Sequence, residues 1–376
     1  MFTNLDMHPK FKPTLKALFR AVSRYLPDGA RLRLQSLAER VIFRFTSDVH
    51  ELPPIFHYWS NRYLRPQFEA FGFSSPDAFF LTQLLAYPKR ESTLRILALG
   101  SGRADLELKI AQGLLAAGIS DFQLVGIDLT EHAVRDARTR ADMQNLSKHC
   151  RFVQGDLNTW KTTEHYDVVL ANHCLHHVVN LEGLFDQVRR CLMPTNGAFL
   201  VADMIGRNGH QLWPESLSEV RHFWRQLPPK KRLDRATGKI EAEFVNYDCS
   251  KIGFEGIRAQ DILSLLIDRF EFKLFLPYAG IVVPLIERRT GWNFSVDNPQ
   301  DLAFVDRMAA REQELFANLA IKPTQMLASM RPECRPGINK NDSSHMGIPL
   351  NSTQTDDACV LLSPLFTPSA CVRKPN

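Results

Sequence analysis

The chain has 376 residues, 44% hydrophobic and 23% charged, with a net charge of +5, the balance of an ordinary globular protein with room for a sizeable core. It has no apolar run near the roughly 20 residues that span a bilayer and no h-region behind a basic start, so neither a membrane span nor a secretory leader is expected. Seven scattered cysteines form no CxxC pair, which argues against a disulfide framework or structural zinc and for a reducing, cytoplasmic setting.

The first 50 residues hold nine Lys or Arg against four acids, the whole excess of positive charge. The remainder is balanced, so an extended nucleic-acid groove is not expected. Leu15, Leu18, Phe19, Val22, Tyr25 and Leu26 recur at helical spacing, with Lys16, Arg20 and Arg24 on other faces. This predicts a helix packed on the domain with a solvated basic face; a membrane-surface or acidic-partner contact is the alternative. Turn chemistry at Pro27-Asp28-Gly29 and Pro53-Pro54 punctuates a helical region over 1–90, expected as an N-terminal cap. Within it, "FHYWSNRYLRPQFEAFGF" (56–73) offers Tyr58, Arg62, Tyr63 and Arg65 as a lid over a ligand, although core packing accounts for the aromatics equally well.

From residue 94 to about 330, short apolar strands alternate with amphipathic helices, the pattern of a parallel α/β sheet. Strands are predicted at 94–99, 122–128, 150–156, 166–173, 197–203, 270–278 and 321–329, with helices at 104–117, 130–144 and 181–192. In such sheets ligands bind outside the carboxyl ends of the strands. Gly100, Asp128, Asp156, Asn172 and Asp203 all fall at such ends. Beyond Pro332 the composition turns to Pro, Ser, Thr and Asn without periodicity, so 332–376 is expected to be mostly disordered.

The first strand runs into Gly100-Ser101-Gly102-Arg103-Ala104-Asp105. A dinucleotide fingerprint needs a third glycine where Asp105 stands, and an acid there would repel a pyrophosphate. No Gly-Lys-Ser/Thr follows, so a P-loop is excluded. A phosphate-free ligand that tolerates carboxylates remains, and S-adenosylmethionine meets that description. Asp128 can accept from both ribose hydroxyls and Asp156 from the adenine amino group, although a strand-end Asp alone is more often a helix N-cap.

With "ILALGSGRAD", "VGIDLTEHAVRDAR", "FVQGDLN" and "YDVVLANHCLHHVVNLEGLFDQVRRCLMPTNGAFLVAD", the chain resembles the class I S-adenosylmethionine-dependent methyltransferases. The resemblance covers about 94–205 and is weaker to about 330. It implies a doubly wound, mostly parallel seven-stranded sheet, the Rossmann-like methyltransferase fold, in the order 3-2-1-4-5-7-6 with the seventh strand antiparallel. The implied domain spans 91–331, with a substrate-cap insertion at about 205–258. The cofactor contacts expected are Gly100, Ser101, Gly102, Asp105, Asp128, Leu129, Asp156, Leu157, Asn172 and His173. Two departures stand out: Ala98 where the family usually carries an acid, and Ala104 where it usually carries a glycine.

Methyl transfer to a hydroxyl needs alignment and a base, and histidine suits the pH range. "NHCLHHVVN" supplies His173, His176 and His177. They are not expected to face the site together, since adjacent helical positions diverge by about 100°. His176 and His177 are the catalytic candidates. Arg207, His210 and Trp213, in "DMIGRNGHQLWP", join Tyr58 and Arg62 as substrate-binding candidates. No metal ligand set is read, since a sulfonium leaves without metal assistance. The bulk of the caps favours O-methylation of a small molecule, a specialised metabolite or a sugar. Rival readings are a nicotinamide-dependent reductase, a non-catalytic methyltransferase-like scaffold, and a protein or nucleic-acid methyltransferase. The last lacks the Asn/Asp-Pro-Pro-aromatic segment common in amino-methylating members.

Overall fold

The computed structural model describes residues 51–88, 92–194, 196–251, 253–332, 361–362 and 367–371. The basic helix expected within 1–50 and most of the expected disordered tail lie outside these residues.

The apolar runs form strands as expected: β1 (Leu94–Leu99), β2 (Phe122–Asp128), β3 (Cys150–Gln154), β4 (Val168–Asn172) and β5 (Ala198–Met204). Two further pairs of residues, β6 (Leu233–Asp234) and β7 (Lys239–Ile240), make a separate small hairpin. β8 (Phe270–Tyr278), β9 (Gln325–Pro332) and a two-residue strand, β10 (Leu361–Leu362), complete the main sheet. Its order is β10-β8-β9-β5-β4-β1-β2-β3. β1 to β5 pair in parallel, while β9 runs antiparallel to both β5 and β8. Without the short β10 edge, this is the seven-stranded order and polarity implied by the resemblance.

The strands are apolar on both faces because both are covered. Ile96, Ala98, Leu124, Leu170 and Leu200 enter one core, and Leu97, Leu99, Val125, Val169 and Val201 the other, so successive residues alternate between two cores. The first core takes α1 (Pro54–Trp59), α2 (Arg65–Glu69) and α3 (Pro76–Leu85) through Ile55, Trp59, Phe68, Phe79 and Phe80. It also takes α4 (Asp105–Ala116) and α5 (Glu131–Met143). α6 (Leu181–Cys191) lies on the second core, its N-terminus capped by Asn180, which accepts from Gly183 N at 3.1 Å.

After β5 the chain leaves the sheet through residues 205–258, which hold α7 (Pro214–Gln226) and the β6–β7 hairpin. α8 (Ala259–Ile267) then packs on the second core beside α6. A short α9 (Val283–Ile286) precedes α10 (Pro299–Ala317), a 19-residue helix that the sequence reading did not anticipate. α11 (Pro368–Cys371), in the segment expected to be disordered, carries a buried Cys371. The N-terminal helices reach the carboxyl rim of the sheet: Phe68 packs edge-on against Tyr278, the last residue of β8, at 5.3 Å between ring centres. No helix among the described residues is long and apolar enough to cross a membrane.

Candidate active site

The turn after β1 begins at Gly100, whose φ is +62°, followed by Gly102 at +51°. Ala104 also takes a left-handed conformation, φ 64° and ψ 33°, while fully buried. That is the position where the family favours glycine, and an L-residue there costs about 1–2 kcal/mol. Neighbours hold the loop in place: Ser101 N donates to Ile127 O at 2.9 Å, and Arg140 Nη1 donates to Arg103 O at 2.7 Å.

Asp128, at the end of β2, is half-buried and serves this same turn. One carboxylate oxygen accepts from Gly102 N at 2.9 Å, and the other from Thr130 N and Oγ1 at 2.8 Å. Asp156, after β3, accepts from Asn158 N and Nδ2 at 2.9 Å through one oxygen. Leu129 and Leu157 follow these acids, each half-buried. A Cβ built on Gly102 would meet nothing within 4 Å, so the turn is open there. Ser101 Oγ is buried with no hydrogen-bond partner among the described residues. An open turn, an unsatisfied hydroxyl and two strand-end carboxylates fit an adenosyl cofactor.

Asp105 opens α4. Its carboxylate is 57% exposed and pairs with Arg140 of α5 at 2.6 Å, because this side of the first helical turn faces the neighbouring helix. Tyr58 donates to Asp306 of α10 at 2.8 Å, Tyr63 does so at 2.7 Å, and Arg62 lies 3.6 Å from the same carboxylate. These contacts tie Tyr58 of α1 to α10.

Beyond β4, Asn172 is half-buried and His173, exposed, takes φ 48°. A single 3-10 turn (Leu175–His177) then sets two imidazoles side by side, the ring centres of His176 and His177 lying 4.3 Å apart. The expected divergence of the two rings is thus corrected: both Nε2 atoms lie 3.6 Å from the carboxylate of Glu255. His210 joins from the other side, its Nε2 2.9 Å from Glu255 Oε1. His173 stands apart, its ring centre 6.4 Å from that of His176. Arg207 and Trp213 flank His210 along the chain and are half-buried.

Asp203 organises this cluster from the end of β5, with no exposed surface. One oxygen accepts from Cys174 N and Leu175 N at 2.9 and 2.8 Å; the other accepts from Met204 N at 2.7 Å and from His176 Nδ1 at 2.6 Å. Burial alone would raise its pKa, but His176 and these donors hold it down, to about 2. Burial in turn pushes His176 down, toward the neutral ring, against the upward pull of Asp203. A neutral His176 that donates through Nδ1 has its Nε2 lone pair directed at Glu255. Burial would raise Glu255 too, yet the His210 hydrogen bond and the adjoining imidazoles hold it at about 2.

The sequence reading placed Asp203 at a strand end without a role and did not find Glu255. Glu255 arrives from the far end of the 205–258 segment. Ile257 N donates to His176 O at 3.1 Å, and Gly209 N to Gly256 O at 2.8 Å. Gly256 has φ +65°, and a Cβ there would meet His210 Cε1 at 3.0 Å, so glycine permits this approach. Arg258 clamps the loop on α6 through both oxygens of Glu182, at 2.7 and 2.8 Å.

This sheet order, with a glycine turn after β1 and acids after β2 and β3, defines the class I methyltransferase fold. Residues 90–248 match the family model described as a methyltransferase domain. The trans-aconitate 2-methyltransferases of Acidovorax sp. (strain JS42) and Acidovorax ebreus (strain TPSY) are each 31% identical over 144 residues, 38% of this chain and 51% of theirs. The match thus spans about half the length of these curated relatives. Among solved structures, the O-methyltransferase from a trans-AT PKS multienzyme of Brevibacillus brevis, in complex with S-adenosyl-L-homocysteine, is 14% identical. That alignment covers 67% of this chain and 71% of the other, with a TM-score of 0.39.

Proposed function

We propose that the protein transfers a methyl group from S-adenosylmethionine to an oxygen of a small-molecule acceptor, a specialised metabolite or a sugar, with a histidine as base. When bound, S-adenosylmethionine supplies an electrophilic methyl carbon on a sulfonium leaving group. Gly100, Ser101 and Gly102 receive its amino-acid end, and Asp128 and Asp156 its ribose and adenine. His176, or His177 beside it, takes the hydroxyl proton of the acceptor on Nε2. The oxygen–carbon bond forms as the carbon–sulfur bond breaks. Residues 205–258 and the N-terminal helices serve as caps over the acceptor.

The single observation that carries this reading is the buried Asp203–His176 pair, 2.6 Å apart, at the carboxyl ends of β5 and β4, on the same rim of the sheet as the glycine turn after β1. An acceptor that is already a carboxylate needs no base, so an oriented imidazole favours a hydroxyl. The trans-aconitate in the relatives' names supports an acceptor of small-molecule size. The free cysteines among the described residues suit a reducing cytoplasm. Incubation with methyl-labelled S-adenosylmethionine and panels of sugars and hydroxylated metabolites tests the reading: label is expected in the small-molecule fraction. Label found only in protein or nucleic acid would refute it.

A further inference from the structure

We propose that Nε2 of His176, Nε2 of His177 and the carboxylate of Glu255 form a binding site for a divalent transition cation of the zinc class, open to the acceptor's oxygen. These three side chains bring ligand atoms within 4.8 Å of one another. Each imidazole nitrogen stands 3.6 Å from a Glu255 oxygen. That is too long for a hydrogen bond, but it suits two donors sharing an ion about 2.0–2.2 Å from each.

The donor set also points to the ion. Two imidazoles and one carboxylate favour zinc and its first-row neighbours over magnesium or calcium, which take oxygen ligands. Three protein ligands leave a position for water or substrate, the pattern of catalytic rather than structural zinc.

The groups that would hold these ligands in position are already in place. Asp203 accepts the Nδ1–H of His176 at 2.6 Å and is wholly buried, which fixes the ring and frees Nε2 for a metal. His210 Nε2, 2.9 Å from Glu255 Oε1, holds the carboxylate in position. The charges of Glu255 and Asp203 together balance a divalent ion. The main-chain bond from Ile257 N to His176 O locks the two contributing loops together.

The chemical consequence rests on the methyl-transfer reading above; binding of the ion does not. With the ion bound, both Nε2 lone pairs are engaged, and the free imidazole is replaced as the means of removing the proton. The acceptor hydroxyl binds the open position, the ion lowers its pKa, its proton leaves to solvent, and the resulting oxyanion takes the methyl group.

The test uses the full chain, stripped with a chelator and dialysed. Zinc and cobalt(II) chlorides are titrated by calorimetry, and the cobalt complex is followed by its visible ligand-field absorption. Binding of about one ion per chain is expected, with affinity lowered at least about tenfold in H177A and in E255Q. The exposed-site control H222A should bind as the parent does. No binding, or binding indifferent to both H177A and E255Q, would overturn the site. Glu255 is partly exposed, so E255Q keeps the test open should H177A fail to fold. Labelled methyl transfer is then measured in stripped and reloaded protein. Turnover restored by zinc supports the assigned role, and equal turnover in the stripped protein overturns it. Metal binding without turnover on any acceptor would leave the site standing and count against the methyl-transfer reading alone.

Discussion

The carboxylate of Asp203 and the imidazole of His176 meet at 2.6 Å inside the protein, and the same carboxylate fixes the backbone of the turn that carries the histidine through Cys174 N and Leu175 N. Orientation and placement of the ring therefore come from one residue. Asp203→Asn must turn an amide NH₂ toward at least one group that now donates. We expect methyl-transfer kcat to fall by about a thousandfold or more, as loss of the correct tautomer does in hydrolytic triads, with a stability cost of about 1–3 kcal/mol. Steady-state kinetics and thermal melts check the two effects; parent-like kcat would remove Asp203 from the mechanism.

Asp128 and Asp156 each hold a neighbouring backbone group and retain acceptor capacity for a ligand. Neutralising either as Asn should weaken S-adenosylmethionine binding by about ten- to a hundredfold, the worth of a hydrogen bond to a charged group. Asp128→Asn should show the larger effect, because it also loosens Gly102. Calorimetry with the cofactor alone gives the answer, and unchanged affinity in the double variant would contradict the assignment.

Arg258 joins α6 to the loop bearing Glu255, and its guanidinium also accompanies Asp261 at 2.8 Å. Arg258→Ala should cost about 1 kcal/mol of stability, since the Glu182 side is partly solvated. Turnover should fall by about tenfold, because Glu255 loses its fixed position. A melt combined with kinetics separates the two, and loss of stability without loss of rate would show that the clamp is only structural.

Glu107, in the first turns of α4, is 4% exposed, and burial pushes its pKa up to about 8. A raised carboxyl pKa means that the folded state holds a proton the unfolded chain has released. Stability from this group is therefore complete below about pH 4.5 and is lost as pH rises toward 8. Glu107→Gln should match the parent near pH 5 and melt several degrees higher near pH 8.5. Thermal melts across that range check the sign; a gap that closes toward high pH would contradict it.

Much of the sheet was legible because the signals were local. Apolar runs such as Ile96–Leu99 and Val168–Ala171 end on glycine or polar residues, and this punctuation marked both the strands and their carboxyl ends. His176 and His177 were legible as chemistry for the same reason. Glu255 was not, because it meets His210 across 45 residues of chain with no periodic pattern. Sequence spacing places Asp105 beside the turn, but only packing shows that it pairs with Arg140 of α5. Tyr58 and Arg62 read as a lid from composition, whereas the carboxylate that engages them sits on α10, a helix not foreseen.

The left-handed alanine at position 104 has one more implication. A residue that would relax elsewhere on its own is kept wound by bonds from β2 and α5, so the glycine turn is cocked before any ligand arrives. Little ordering entropy then remains to be lost on cofactor capture. Conversely, damage to those distant supports should register first as a slackened grip on the cofactor, well before the sheet itself gives way.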